Sequence, residues 1–121
     1  MCLLITGTSA LWYSAEYSTF SISNEAGNYQ LTVDGYSGDA GYALRNSGTN
    51  WNVNGRPFST ADRDNDSCNA INCAANNGGA WWMACCSRSE LNGDGMRMWS
   101  DASAIDVTDS RMLIKKRQNS Y

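Results

Sequence analysis

Apolar and polar positions alternate most clearly between Trp12 and Asp34. In the segment WYSAEYSTFSIS, which starts at Trp12, the residues Tyr17, Thr19, Phe20 and Ile22 predict a β-strand with partial alternation. Asn24 to Gly27 (NEAG) supplies turn residues, and Tyr29, Leu31 and Val33 then alternate with Gln30, Thr32 and Asp34. The two runs predict an antiparallel hairpin with one apolar and one polar face. The apolar run inside Met1 to Ala10 reads as a first strand, and Met112, Leu113 and Ile114 as a closing one.

After Gly35 the pattern dissolves. Gly and Asn recur every few residues as far as Phe58, and only Tyr42, Ala43 and Leu44 predict a helical turn. Ser59 to Gly95 is also loop-like, yet it holds an acidic cluster, four of the five cysteines and the Trp81-Trp82 pair. A long irregular segment in a small domain needs a metal or a disulfide to hold it, because its own backbone does not offset the entropy of ordering. No internal repeat, linker or heptad pattern is present in the sequence.

The chain has 121 residues, enough for one domain. It contains no His, which excludes Ser/His/Asp and Cys/His triads, HExxH metalloprotease sites and His-containing zinc fingers. The net charge of -3 argues against nucleic acid as a partner, and Lys115-Lys116-Arg117 reads as the solvated end of the last strand. No stretch approaches the roughly 18 apolar residues of a membrane span. Met1 to Ala10 lacks a basic n-region, so no signal peptide is visible in it.

Asp62, Asp64 and Asp66 lie at alternate positions in DRDND. Carboxylates this close repel one another unless something positive sits between them. Hard oxygen ligands in an irregular loop suit calcium better than magnesium, which demands tighter octahedral geometry. The EF-hand template fails, because Ser67 replaces its Gly and Cys73 its bidentate Glu. The plainer alternative is a solvated acidic turn with Arg63 as local partner. Asn65-Asp66-Ser67 also forms a glycosylation sequon, discounted because a glycan would obstruct a metal loop.

Cys68, Cys73, Cys85 and Cys86 are close enough in sequence for two bridges, and their density points to an oxidising compartment. A four-cysteine zinc site is the competing reading, although adjacent Cys85 and Cys86 fit poorly with CxxC knuckles. Cys2 is left over. An acid–base pair drawn from Asp62, Asp64 and Asp66 lacks the cleft that would separate their pKa values, so the residues do not point to an enzyme.

AEYSTFSIS, NYQLTVDGYSGDAG, NGRPFSTADRDND, GGAWWMACC and SELNG, in this order, resemble the C-terminal half of the fibrinogen C-terminal domain, the module shared by fibrinogen, ficolins, tachylectins and angiopoietins. The resemblance runs from about Trp12 to Lys116. It implies an α+β fold, with a twisted antiparallel sheet in about residues 1–58 and a calcium and ligand-binding part in about residues 59–121, truncated on the N-terminal side. It implies calcium held by the side chains of Asp64 and Asp66 and by the carbonyls of Cys68 and Ala70. One residue more than the family pattern between Asp66 and Cys73 leaves Asn69 as the alternative to Ala70. The family disulfide maps onto Cys73 and Cys86, closing a loop of about 14 residues worth on the order of 3 kcal/mol. Cys68 and Cys85 are additions, which favours their pairing with each other.

The resemblance further implies a ligand pocket beside the calcium loop, lined by Asn76, Asn77, Cys85, Cys86 and Ser87, with a cis peptide between Cys85 and Cys86. Ser87 stands where the family usually has His, and the chain between Gly93 and Trp99 is shorter than the family's. Met96, Met98 and Trp99 are assigned to core packing rather than to a pocket floor, and Trp81 and Trp82 to packing rather than to a sugar-stacking surface. The function implied is a secreted, calcium-stabilised, lectin-like module for acetylated or anionic glycans, without catalytic groups. The alternatives are a protein-interaction module that reads a receptor or peptide, and an inactive fragment. Oligomerisation would run through the upstream region.

Overall fold

The computed structural model describes residues 1–45, 51–94, 98–100 and 104–116. Four antiparallel strands form the main sheet: β1 (Cys2–Thr6), β2 (Trp12–Ile22), β3 (Leu31–Gly38) and β9 (Asp109–Leu113), in the order β3-β2-β1-β9. The predicted hairpin is β2–β3, with Phe20 opposite Val33 and Ile22 opposite Leu31. Its turn is a 3-10 turn, Glu25–Gly27, capped by Asn24, whose side chain accepts from the Gly27 amide at 3.2 Å. A second 3-10 turn, Ala43–Arg45, falls where the helical turn is predicted.

The face that the sheet buries is not a simple alternation. In β2 the buried residues Ala15 and Tyr17 are followed on the core side by Phe20; in β3 they are Leu31 and Val33, followed by Tyr36. The inward set therefore shifts by one position in both strands, between the pairs Tyr17–Tyr36 and Thr19–Asp34. Gly35 lies at this point with φ +68°, a left-handed conformation that glycine adopts without steric cost. A β-carbon there would overlap the Ser18 hydroxyl. The glycine thus lets one hairpin present two out-of-phase apolar sets to one core.

Leu3 and Ile5 of β1 complete the sheet's contribution, and Leu44, Val53, Met83 and Trp99 fill the core against it. The sheet is not confined to residues 1–58, because β9 returns from the far end of the chain to pair with β1, Cys2 opposite Leu113 and Thr6 opposite Asp109. Without β9, the edge of β1 that faces away from β2 would leave a row of backbone donors and acceptors without partners in the sheet.

Residues 58–106 carry more regular structure than their composition predicts. A short ladder joins β4 (Phe58–Ser59) to β5 (Trp81–Trp82), and β6 (Ser89–Glu90), β7 (Met98–Ser100) and β8 (Ala104–Asp106) form a three-stranded sheet. The helix α1 (Cys73–Asn77) is capped by Asn72, whose Oδ1 accepts from the Ala75 amide at 3.0 Å, and ends at Gly78 with φ +72°. These elements are two to five residues long, too short for periodicity to reveal. Each buried indole N–H finds an acceptor: Trp81 the Ser89 hydroxyl, Trp82 the Tyr29 carbonyl and Trp99 the Gly41 carbonyl. Trp81 and Trp82 are thus core residues and offer no stacking surface. Met96 lies outside the described residues.

Replacing Gly35 with Val is expected to destabilise the fold by about 1–3 kcal/mol through the forced left-handed backbone and the Ser18 overlap. Urea denaturation would show it as a lowered midpoint. A midpoint equal to the wild type's would refute the role assigned to Gly35.

Candidate functional site

The acidic loop starts from a tight turn in which Thr60 and Arg63 exchange both backbone hydrogen bonds at 3.1 Å. The three carboxylates then diverge. Asp62 accepts from the Thr60 hydroxyl at 2.7 Å, and that bond, with backbone donation, holds its carboxyl below the ordinary carboxylate value. Asp64 accepts from the Asp66 amide at 3.2 Å. Asp66 points inward: its Oδ1 accepts from the Cys68 amide and its Oδ2 from the Cys73 amide, both at 2.8 Å. One carboxylate therefore folds the loop upon itself and fastens it to the first residue of α1.

Among the described residues no three carboxylates converge; the only group of three potential ligands is Cys68, Cys73 and Cys86. Their sulfurs are spent in disulfides, Cys68–Cys85 and Cys73–Cys86, which rules out the four-cysteine zinc reading. Cys2 is free and half-buried. For calcium the donor chemistry fits: Asp64 is exposed, and each oxygen of Asp66 accepts one N–H and keeps a second lone pair. Asp64, Asp66 and the carbonyls of Cys68 and of Asn69 or Ala70 would supply hard oxygens only. Asn65 is turned inward, its side-chain amide donating to the Phe58 carbonyl at 2.9 Å, so the sequon asparagine is engaged in the fold.

The two bridges bring the acidic loop, α1 and the Cys85-Cys86 pair together, and the peptide between Cys85 and Cys86 is cis. Both cysteines are half-buried. Asn76 is exposed and donates through Nδ2 to Asn77 Oδ1 at 3.2 Å; Asn77 is half-buried and donates through its own Nδ2 to Glu90 Oε2 at 2.9 Å. Ser87, expected in the pocket lining, is buried instead. Its hydroxyl donates to the Ser89 carbonyl at 2.7 Å and accepts from the Ser89 amide at 3.0 Å, so it closes a turn of the chain and has little left to offer a ligand. Nearby, Gly78, Leu91, Asn92, Gly93 and Asp94 line a shallow recess.

Glu90 is the residue that sequence reasoning missed. It is 2% exposed, its Oε2 holds Asn77, and its Oε1 has no hydrogen-bond partner among the described residues. Burial raises its carboxyl from the ordinary 4.5 to about 6, against the lowering effect of the bond from Asn77. Nothing in SELNG signals this, because a Glu between Ser and Leu reads as an exposed strand position. Its burial arises from the pairing of β6 with β7 and the approach of the end of α1.

A raised carboxyl favours the protonated folded state. The stabilisation associated with Glu90 is complete below its unfolded value near 4.5 and is lost as pH rises through about 6. Glu90→Gln should therefore be more stable than the wild type at pH 7.5 by roughly 2 kcal/mol, and nearly equal to it at pH 4. Urea midpoints at the two pH values check this; an equal offset at both would contradict it.

The family model for the fibrinogen beta and gamma chains' C-terminal globular domain matches residues 6–109. Angiopoietin-related protein 6 of Mus musculus is 44% identical over 79 residues, covering 65% of this chain and 16% of the relative. Ficolin-3 of Homo sapiens is 46% identical over 80 residues, covering 65% of this chain and 24% of the relative. The fibrinogen-like globe domain of human ANGPTL2 superposes with a TM-score of 0.75 at 28% identity, covering 90% of this chain and 54% of that one. The chain thus spans a quarter or less of these two curated relatives and about half of the solved domain. Among the described residues no helix is long and apolar enough to cross a membrane. The chain belongs to the fibrinogen C-terminal domain family, a family of binding modules without enzymatic chemistry.

Proposed function

We propose that the chain is an extracellular, calcium-stabilised recognition module that binds acetylated glycans at the face formed by Asn76, Asn77 and the Cys85-Cys86 pair. One observation carries the reading. The disulfides and Asp66 join the oxygen-rich loop, α1 and Cys85-Cys86 into a single unit, so a metal in the loop would stiffen the face that presents Asn76 and Asn77. When bound, calcium would neutralise Asp64 and Asp66 and fix the loop's conformation. Ficolin-3 among the relatives supports a lectin-like role, and two disulfides suit an oxidising, extracellular setting.

The surroundings also choose between ligand classes. Glu90 and Asp94 place negative charge close to Asn77 and the recess, which opposes a carboxylate ligand and favours a neutral acetamido group. Side-chain amides such as Asn76 and Asn77 can both donate to and accept from such a group.

A second reading, a protein-interaction module, is favoured by a separate observation. Met112, Leu113 and Ile114 lie 38%, 54% and 63% exposed at the end of β9, the outer strand of the main sheet. A continuous apolar run on a sheet edge is suited to pairing with another chain. Angiopoietin-related protein 6 among the relatives is consistent with it.

On a resin of immobilised N-acetylglucosamine the chain should be retained with calcium and released by chelator or by free sugar. Millimolar calcium should also raise the thermal midpoint; a ligand at about 100 times its Kd adds about 2.7 kcal/mol. An unchanged midpoint sinks the calcium assignment. Absence of retention with and without chelator sinks the glycan reading and leaves the protein-interaction reading.

A further inference from the structure

Asn76, Asn77 and Glu90 form a ladder of hydrogen bonds that runs from an exposed amide to a buried carboxylate. Nδ2 of Asn76 donates to Oδ1 of Asn77 at 3.2 Å, and Nδ2 of Asn77 donates to Oε2 of Glu90 at 2.9 Å. The direction of the ladder is set at its buried end. An ionised carboxylate only accepts, so it requires the nitrogen of Asn77 on its side and leaves the oxygen of Asn77 facing outward. Oε1 of Glu90, buried and without a partner among the described residues, makes the ionised form costly to keep.

We infer that Glu90 is a positioning residue whose protonation reverses the carboxamide of Asn77 and so changes the outward-facing atom from an acceptor to a pair of donors. The step is a single proton uptake from solvent by the Glu90 carboxylate. The proton settles on Oε2, because an O–H there can donate to Oδ1 of a reversed Asn77, whereas on Oε1 it would be a buried donor with no acceptor. Asn77 then presents Nδ2 outward. Asn76, exposed, turns its own amide to accept from it at little cost.

Burial as the cause of the raised carboxyl value, about 6, places the reversal in a mildly acidic range. Among the described residues no ionisable side chain reaches Glu90 from the elements around it: α1 and β7 contribute none, nor does β5, and Cys73 is in a disulfide. The charged residues of its own flanks are Arg88 and Asp94, and Asp106 is exposed on β8, beyond β7. Among the described residues burial is the only influence that raises the Glu90 carboxyl, and the bond from Asn77 opposes it. The reversal rests on the pocket reading only for its consequence: an outward acceptor would suit the N–H of an acetamido ligand, outward donors its carbonyl.

Side-chain NMR of the full chain between pH 4 and 8, without any ligand, decides the matter. The Glu90 carboxyl carbon should titrate with a midpoint near 6, and the Asn77 side-chain amide signals should move with the same midpoint. Cross-relaxation from the Asn77 amide protons should pass from the Glu90 methylene at high pH to the Asn76 side chain at low pH. Glu90→Gln should abolish the titration of Asn77; if that variant does not fold, the wild-type cross-relaxation pattern alone decides. A Glu90 midpoint near 4.5, or a cross-relaxation pattern unchanged through the titration, overturns the inference. Since no sugar is used, failure on the acetylated resin is a separate result.

Discussion

The structure between Phe58 and Asp94 depends on the two disulfides that leave the adjacent residues Cys85 and Cys86 for Cys68 and Cys73. Regular backbone there amounts to three two-residue strands and one five-residue helix, too little to fix its geometry. In the chain-entropy model each bridge of this loop size removes about 3 kcal/mol of disorder from the unfolded state. With the covalent frame set, Met83 and Ala84 can be wholly buried, the indole of Trp81 can reach the nearby Ser89 hydroxyl, and that of Trp82 can reach the Tyr29 carbonyl far away in sequence. The core under the site is therefore a consequence of the bridges as much as of hydrophobic burial.

Asp66 transmits that constraint to the acidic loop. Its two oxygens tie Cys68 and Cys73, the very residues whose sulfurs are bridged. The loop and the cysteine pair thus share anchors, and a change in one is felt by the other. Glu90 works in the opposite sense: a charge kept in a place that favours its neutral form, held by one bond from Asn77. The site combines a satisfied carboxylate that fixes position with an unsatisfied one that can respond to its surroundings.

Much of the main sheet was legible in the sequence, and so were the chemical types at the site. The hairpin follows from alternation at Leu31 and Val33, because an antiparallel pair with one buried face imposes a period of two on its side chains. The resemblance supplied the Cys73–Cys86 pairing, and the leftover cysteines supplied the other. The place of Ser87 was less legible: a serine at a family pocket position can equally turn its hydroxyl to nearby backbone, and here it bonds to Ser89. The reading of residues 59–95 as loop missed α1 because five residues cannot show a helical period; its caps, Asn72 and Gly78, were the only local signal.

The sequence by itself determined which groups are available: cysteines for two bridges, oxygen donors at alternate positions in DRDND, no imidazole, and the apolar alternation of the hairpin. These are properties of residue type and spacing, which the chain carries unfolded. Tertiary structure alone decided that β9 closes the sheet against β1, that the core-facing set changes phase at Gly35, and that Glu90 is buried against Asn77. Each depends on segments distant in sequence meeting at one place, and burial, the cause of the altered Glu90 carboxyl, exists only once they have met.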